Sequence, residues 1–197
     1  MSTYEKPDFW AQKAKKEGYP ARSVYKLMEI DKKFGLVKKG ARVLDIGAAP
    51  GSWSLWVLKR LAGTGFLAAV DLQELGMNPP YDNFLFVKGD LYDEKVRAEL
   101  LSKGPFGLVL SDAAPATTGN RIVDQGQSEA IVEAVIAYAE AALAPGGALV
   151  AKIFQGGAEA GLLKSLRTRF AAARGFKPEA CRSESFETYL VATGFKG

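Results

Sequence analysis

The chain has 197 residues, of which 48% are hydrophobic and 24% charged, with a net charge of +4. This composition predicts one globular domain with a real core and excludes a disordered chain. No apolar run approaches the roughly 20 residues that span a bilayer, and the N-terminus lacks the apolar core of a signal peptide. With a single cysteine, Cys181, we expect a cytoplasmic protein and a monomer that does not associate with membranes.

The chain contains no histidine. The commonest general base and the commonest metal ligand are therefore both missing. We expect no metal site, and we expect any acid–base chemistry to rest on Lys, Asp, Glu or Tyr.

Residues 1–40 are predicted to form a basic, partly helical N-terminal extension of the single domain, with a helix near residues 23–34. The basic residues in this region are Lys6, Lys13, Lys15, Lys16, Arg22, Lys26, Lys32, Lys33, Lys38 and Lys39. The aromatic residues interleaved with them are Tyr4, Phe9, Trp10, Tyr19 and Tyr25. Such a pattern is typical of RNA contact through phosphates and base stacking. It also fits a solvated helical arm whose aromatic residues pack on the core, and the pattern alone does not choose between the two.

From residue 42 onward, strand and helix patterns alternate. Strands are predicted at 42–46, 65–71, 84–88, 108–111, 148–154 and 188–193. Helices are predicted between them at 52–62, 94–102, 127–143 and 158–173. This alternation predicts an α/β fold with a mostly parallel sheet and helices on both faces. Ligands of such sheets bind beyond the carboxyl ends of the strands.

The turn after the first predicted strand is the most informative segment. Residues 43–53 run from an apolar strand through Gly47 into a helix, as in a nucleotide-binding corner. Ala49 and Ser52 stand where a dinucleotide-binding loop has glycines, and Pro50 has no N–H to offer a phosphate. The turn therefore disfavours binding of the dinucleotide that a dehydrogenase uses, and it favours a nucleoside-like ligand without a phosphate. S-adenosylmethionine is such a ligand.

Two acids at predicted strand ends are candidates for binding such a ligand. Asp71 ends the second strand, 24 residues after Gly47, where a carboxylate accepts hydrogen bonds from ribose hydroxyls. Asp90 follows the third strand and could accept from an adenine amino group. Capping or turn formation is the alternative for both residues.

Four further charged residues are candidates for the chemistry: Lys26, Asp112, Lys152 and Glu187. Asp112 closes the fourth predicted strand, and Glu187 precedes the last one. Lys152 lies inside an apolar strand, where burying an unpaired ammonium is costly. Its side chain either reaches out to solvent or is held by a carboxylate at the cleft. The shared position near strand ends favours one common site, although each residue taken singly has an equally good structural explanation.

Five separated segments, all between residue 9 and the C-terminus, resemble the FtsJ/RrmJ family of S-adenosylmethionine-dependent RNA ribose 2′-O-methyltransferases, also called RlmE in bacteria. The matching segments are residues 17–27, 44–54, 110–115, 152–156 and 187–194. The resemblance implies a Rossmann-like class I methyltransferase fold. Its sheet would have seven strands, mostly parallel, with an antiparallel strand near the C-terminus.

The resemblance also implies roles for individual residues. The family's catalytic Lys-Asp-Lys-Glu tetrad falls on Lys26, Asp112, Lys152 and Glu187. Its cofactor contacts fall on Gly51, Trp53, Asp71, Asp90 and Asp112. Lys152 would accept the proton of the ribose hydroxyl, or would orient that hydroxyl as a cation.

The implied substrate is a uridine of large-subunit ribosomal RNA, within the large subunit or as free RNA. Transfer RNA, modified in its anticodon loop, is one alternative, and a small-molecule methyltransferase is disfavoured by the basic extension. A catalytically silent RNA-binding protein of ribosome assembly is another alternative, which the complete tetrad opposes. Two departures from the family pattern are Ser52, in place of a frequent glycine, and the loop at residues 113–119.

Overall fold

The computed structural model describes residues 8–182 and 185–197. The helices are α1 (Phe9–Lys16), α2 (Val24–Phe34), α3 (Ser52–Leu61), α4 (Glu94–Leu101), α5 (Arg121–Ala142) and α6 (Ala158–Arg169). The strands are β1 (Arg42–Ile46), β2 (Phe66–Asp71), β3 (Phe84–Lys88), β4 (Phe106–Ser111), β5 (Leu143–Phe154), β6 (Phe170–Phe176) and β7 (Glu187–Phe195).

The strands form one seven-stranded sheet in the order β3-β2-β1-β4-β5-β7-β6. Strands β1 to β5 pair in parallel, whereas β7 lies antiparallel between β5 and β6. The predicted fold class, a mostly parallel seven-stranded α/β sheet with an antiparallel C-terminal strand, is confirmed. The strand order reverses between β1 and β4, which is where open α/β sheets form their ligand crevice.

The sheet is buried on both faces, so its central strands are apolar at successive positions. In β1, Val43 packs on the face covered by α2 and α3, whereas Leu44 packs on the face covered by α5. Both side chains are fully buried. Because parallel sheets are covered by helices on both sides, the polar ends of their strands are the natural place for a site.

The end of the last predicted helix is wrong. The helix predicted at 158–173 ends at Arg169, and the chain continues as strand β6, which pairs with β7 from Phe170 opposite Phe195. Residues 171–173 are alanines, which favour a helix. Burial of Phe170 and the β7 ladder outweigh that local preference.

Helix α5 begins earlier than the sequence pattern predicts, and helix α1 lies in the extension, where no bounds were predicted. Each of the two begins at a side-chain cap. Helix α5 starts at Arg121 because Asn120 accepts hydrogen bonds from the next backbone amides, including that of Ile122 at 3.1 Å. Helix α1 forms within the extension because Asp8 accepts from the amide of Trp10 at 3.0 Å. Such caps satisfy amides that have no partner within the helix.

The N-terminal helices pack on the sheet through α3. Val24, Leu27 and Ile30 of α2 are fully buried. The Trp10 and Tyr25 rings lie 4.9 Å apart, and both belong to the hydrophobic cluster on this face. These two aromatic residues therefore pack on the core, whereas Phe9 is 68% exposed. Tyr4 and Lys6 lie outside the described residues, and RNA contact by this region stays a prediction.

Across residues 8–182 and 185–197, no helix combines the length and the apolar character that crossing a bilayer requires.

Candidate active site

A cavity of about 780 Å³ opens at the carboxyl ends of β1, β2 and β4, and we call it the β1–β4 cavity. Four of the residues predicted to bind a cofactor line it, namely Gly47, Asp71, Asp90 and Asp112. Gly51 and Trp53 are not among its lining residues. The volume lies within the usual range of small-molecule sites.

The turn at the β1–β4 cavity requires glycine at two positions, of which only Gly47 lines the cavity. Gly47 has φ +76, and a Cβ there would lie 2.5 Å from the Cβ of Ala113. Gly51 has φ +105, and a Cβ would lie 2.8 Å from the Cγ of Met77. Both positions combine a left-handed backbone with close contact, so larger residues are excluded. Gly51 therefore shapes the turn behind the cavity.

Asp71 and Asp90 each make the backbone hydrogen bonds that the structural alternative predicts. Asp71 accepts from the amides of Ala49 at 2.9 Å and Gln73 at 2.8 Å. Asp90 accepts from the amide of Tyr92 at 2.9 Å. An ionised carboxylate has about four acceptor positions, so these bonds leave capacity for a ligand. Cofactor binding by Asp71 and Asp90 stays a prediction, and both residues line the β1–β4 cavity.

The β1–β4 cavity is acidic. Its lining, all within the described residues, includes Asp71, Glu74, Asp90 and Asp112 but no lysine or arginine. Glu74 pairs at 3.0 Å with Lys88, which lies outside the lining. Such a cavity attracts a cationic ligand and repels a pyrophosphate. The lining therefore fits a sulfonium nucleoside and disfavours a dinucleotide.

The side chain of Trp53 belongs to the core. Its indole Nε1 donates a hydrogen bond of 2.8 Å to the carbonyl of Ser23, and its ring lies 5.8 Å from that of Tyr189. The residue is 2% exposed. A cofactor contact at Trp53 would therefore have to come from its backbone, and it stays a prediction.

Lys152 and Asp112 form an ion pair at the edge of the β1–β4 cavity. The ammonium Nζ lies 3.0 Å from Oδ1 of Asp112 and donates to its backbone carbonyl at 2.5 Å. The pair follows from sheet register, because Ser111 of β4 lies opposite Ala151 of β5. The two side chains are 10% and 17% exposed. Lys152 is thus held by a carboxylate, as one of the two sequence interpretations predicts.

Lys26 and Glu187 form a second ion pair beside the first. Lys26 comes from α2, and Glu187 begins β7 opposite Phe154 of β5. Their side chains are 11% and 12% exposed. The structure therefore brings all four predicted catalytic residues to one edge of the sheet, as two adjacent lysine–carboxylate pairs. We call these four residues the tetrad.

Sequence reasoning missed Tyr189, which contacts the same carboxylate oxygen of Asp112 as Lys152 does. Its hydroxyl donates a hydrogen bond of 2.7 Å to Oδ1 of Asp112. Burial, together with the charges of Asp112 and Glu187, raises the pKa of the Tyr189 phenol well above its usual value, so it acts as a neutral donor. The two-residue period of β7 could have found it, since residues 187 and 189 lie on one face of a strand.

Comparison with known proteins agrees with this geometry. The profile of the FtsJ-like methyltransferase family matches residues 19–195. The chain belongs to the FtsJ-like methyltransferase family.

Several relatives of this FtsJ-like methyltransferase share most of its length. "Ribosomal RNA large subunit methyltransferase E" of Treponema denticola is 50% identical over 98% of both chains. The protein of that name from Oleidesulfovibrio alaskensis is 46% identical over 96% of this chain and 92% of its own length.

Solved structures are similar as well. The crystal structure of a Plasmodium falciparum protein described as "a ribosomal RNA methyltransferase, putative" has a TM-score of 0.78 at 28% identity, covering 91% of this chain and all of that one. The MycE methyltransferase of mycinamycin biosynthesis has a TM-score of 0.56 at 19% identity, which shows a shared fold. It covers 97% of this chain and 50% of its own.

In this FtsJ-like methyltransferase, a thiol contacts the ion pair of Lys26 and Glu187. Sequence reasoning gave this thiol no role. Burial alone would raise the pKa of Glu187, but the hydrogen bond and charge of Lys26 outweigh it, and the pKa is lowered. The thiol of Cys181 also hydrogen-bonds Glu187. Burial and that carboxylate raise the pKa of Cys181 to about 12, so it stays a protonated donor and not a nucleophile.

A buried acid, Asp45, lies beneath the site in β1. Its Oδ2 accepts a hydrogen bond of 2.6 Å from the hydroxyl of Ser54, whereas Oδ1 is buried without a partner among the described residues. Burial raises its pKa to about 7, the Ser54 hydrogen bond lowers it, and the charges of Asp112 and Asp71 add to the rise.

The segment before α2 is fixed to the turn behind the β1–β4 cavity. The amide of Ala21 donates a hydrogen bond of 2.7 Å to the hydroxyl of Ser52, the residue that departs from the family pattern. Arg22 donates to the carbonyl of Ala180 at 2.6 Å and pairs with Asp8. These contacts fix the start of the helix that carries Lys26.

A second cavity, of about 440 Å³, lies on the other side of the tetrad, and we call it the α2–β7 cavity. Lys26 and Glu187 line it together with Arg22, Ser23 and Arg182. Its lining, unlike that of the β1–β4 cavity, includes two arginines. Within the described residues, no group of His, Cys, Asp or Glu side chains is arranged to hold a metal ion.

Proposed function

We propose that this protein transfers a methyl group from S-adenosylmethionine to a ribose 2′-hydroxyl of large-subunit ribosomal RNA, with a uridine as the target. The observation that carries the proposal is the tetrad, which gathers two lysines and two carboxylates beside the β1–β4 cavity. The names of the relatives support ribosomal RNA as the substrate. All four tetrad residues come from one chain, which supports action as a monomer, and we expect that action in the cytoplasm, where ribosomes mature.

S-adenosylmethionine fits the β1–β4 cavity in charge and in hydrogen-bonding groups. Asp71 would hold the ribose hydroxyls, Asp90 the adenine amino group, and Asp112 would lie near the methionine part. When bound, the cofactor would supply a methyl group on a positively charged sulfur, which is a good leaving group. The acidic lining favours this cation, because unlike charges attract strongly in a partly shielded cavity.

Lys152 would act on the ribose hydroxyl. As a neutral amine, Nζ would have two N–H donors and one lone pair, and Asp112 offers two acceptors, its Oδ1 and its backbone carbonyl. The lone pair would then be left for the proton of the 2′-hydroxyl, whose oxygen would gain the methyl group as the C–S bond breaks and the sulfur becomes neutral. Asp112 then stabilises the ammonium that forms, and Tyr189 keeps Asp112 in place.

The RNA would reach the tetrad from the side of the α2–β7 cavity. Arg22 and Arg182 line that cavity, and guanidinium groups bind phosphates in a forked geometry. Lys26 and Glu187 lie between this cavity and the first ion pair, so they would contact the target ribose. A positively lined entrance on one side and an acidic cavity on the other would keep the polyanion and the cationic cofactor apart.

The test is methyl transfer from tritiated S-adenosylmethionine to purified large ribosomal subunits, total ribosomal RNA and transfer RNA, followed by mapping of the labelled nucleotide. We expect label at a 2′-oxygen of large-subunit RNA. Label in transfer RNA alone would contradict the proposed substrate. No label in any acceptor would contradict the enzymatic activity and favour a silent RNA-binding protein.

The role of Lys152 has its own test. Lys152→Ala should lower kcat about 100- to 10,000-fold with little change in cofactor affinity, because it removes the base and not the cofactor contacts. Lys95→Ala, at an exposed position of α4, is the matched control. Transfer at the wild-type rate by Lys152→Ala would refute the assignment. So would a flat pH–rate profile under conditions where chemistry limits the rate.

A further inference from the structure

Three side chains form an apolar and basic surface beside the tetrad, and we call it the Phe186 rim. It consists of Arg121, Phe154 and Phe186. The Phe154 and Phe186 rings lie 5.0 Å apart in an edge-to-face arrangement, and the guanidinium of Arg121 lies 5.4 Å over the Phe186 ring. Both rings are only half-buried, so an apolar and cationic surface faces solvent.

The Phe186 rim lies next to the reacting groups. Phe154 follows Lys152 by two residues on β5, which places it about 7 Å further along the same face of the strand. Phe186 directly precedes Glu187, which pairs with Phe154 across the β5–β7 ladder. A molecule held at Lys152 would therefore bring whatever is attached to it onto the rim.

Hydrogen bonds fix the rim in place. The side-chain amide of Gln125 donates to the carbonyl of Gln155 at 2.5 Å, and the amide of Phe154 donates to the hydroxyl of Ser128 at 3.0 Å. Both contacts join the first turns of α5 to the end of β5. A Cβ at Gly156 would lie 2.4 Å from the Gln125 side chain, so the two segments are in close contact. The surface is thus already formed, which reduces the entropic cost of binding.

Resting on the proposed function, we infer that the Phe186 rim stacks against an unpaired base of the RNA strand, one nucleotide from the methylated ribose. Unpaired bases are held by aromatic rings and by guanidinium planes. The rim offers both. Its positive charge matches the phosphates on either side of such a base, and its continuity with the tetrad favours RNA over a protein partner.

Substitutions at the rim separate stacking from a purely structural role. Phe186→Leu keeps an apolar side chain but removes the ring, whereas Phe186→Tyr keeps the ring. We expect Phe186→Leu and Arg121→Ala to raise the Kd for large ribosomal subunits and for a nine-nucleotide oligouridine about 5- to 100-fold. Phe186→Tyr should stay within about twofold of the wild type. Arg60→Ala is the matched control, because its guanidinium lies 5.8 Å over Trp56, at the opposite end of α3 from the tetrad.

An oligouridine with one abasic position tests the contact directly. Removing the stacked base should weaken binding to the wild type and to Arg60→Ala. The same abasic position should have no further effect on Phe186→Leu, since the ring that it would contact is already gone. If the abasic position weakened binding to Phe186→Leu as much as it weakens binding to the wild type, wherever it is placed, the inference would be overturned. An unchanged Kd for Phe186→Leu would overturn it as well. A rim that binds a protein or a second copy of this chain would give that unchanged Kd.

The two proposals fail in different ways. If the wild type methylates large subunits but the Phe186 variants bind and react like it, only the stacking inference is refuted. If the wild type transfers no methyl group while Phe186→Leu still loses affinity for oligouridine, the proposed function is refuted and the stacking surface remains. Failure of the wild type to bind oligouridine would also refute the stacking inference, because a platform of this kind does not require the ribosome.

Discussion

The buried acid Asp45 should make this protein less stable as the pH rises through neutrality. Its pKa is raised from 3.8 to about 7, chiefly by burial. A carboxyl group whose folded pKa lies above its unfolded value stabilises the fold only while it is protonated. That contribution is fully present below pH 3.8 and is lost as the pH rises to about 7. Asp45→Asn keeps the shape and an acceptor for Ser54, and it removes the charge.

These two pKa values set the size of the effect. Each pKa unit of difference corresponds to about 1.4 kcal/mol, so the free energy of unfolding falls by about 4 kcal/mol in total. Roughly 3 kcal/mol of it falls between pH 5 and pH 8, since part of the loss has already occurred at pH 5. Asp45→Asn should therefore gain about 3 kcal/mol relative to the wild type over that interval.

Urea unfolding of both proteins at pH 5 and pH 8 measures this difference. Taking the variant relative to the wild type cancels the titration of every group that the two proteins share. Ser54→Ala supplies a second measurement. It removes the hydrogen bond that lowers the pKa of Asp45, so its loss of stability should extend to higher pH. An Asp45→Asn difference that is the same at pH 5 and pH 8 would refute the reasoning.

Three other residues give predictions of their own. Tyr189→Phe removes the donor to Asp112, so the free energy of unfolding in urea should fall by about 2 kcal/mol and kcat should decrease; unchanged values would contradict the assigned hydrogen bond. The pKa of Glu187 is lowered, so its contribution to the stability of the fold is present above its unfolded pKa of 4.5. That contribution is lost as the pH falls through the folded pKa. Glu187→Gln should therefore have a flatter Tm profile between pH 6 and pH 3 than the wild type, and parallel profiles would argue against the pair with Lys26. Ser52→Ala leaves the amide of Ala21 without its acceptor and should cost about 1 kcal/mol in thermal unfolding, whereas an unchanged Tm would mean that water replaces the hydroxyl.

The central strands were predictable because they are buried on both faces. Strands β1 and β3 begin and end at the predicted residues, 42–46 and 84–88. Strand β6 was not predictable, because its alanines favour a helix and its pairing with β7 joins residues that are distant in sequence. Helix starts at Arg121 and Phe9 depend on caps, which extend helices beyond their apolar pattern.

The site was predictable as residue types but not as contacts. The positions of Asp112, Lys152 and Glu187 near strand ends predict a common edge, yet the pairing of Lys152 with Asp112 and of Lys26 with Glu187 depends on sheet register and on the docking of α2. Tyr189 was missed because its partner lies 77 residues away in sequence. The two-residue period of β7 places Tyr189 on the same face as Glu187, but it does not identify Asp112 as the partner.

The hydroxyl of Ser52 and the indole of Trp53 both reach from α3 to the backbone just ahead of α2. The turn that borders the β1–β4 cavity thus leads directly into the residues that anchor α2, the helix that carries Lys26. Ligands in the two cavities would therefore share one structural support, and any effect of the first on the affinity for the second must be matched by an equal effect in the other direction.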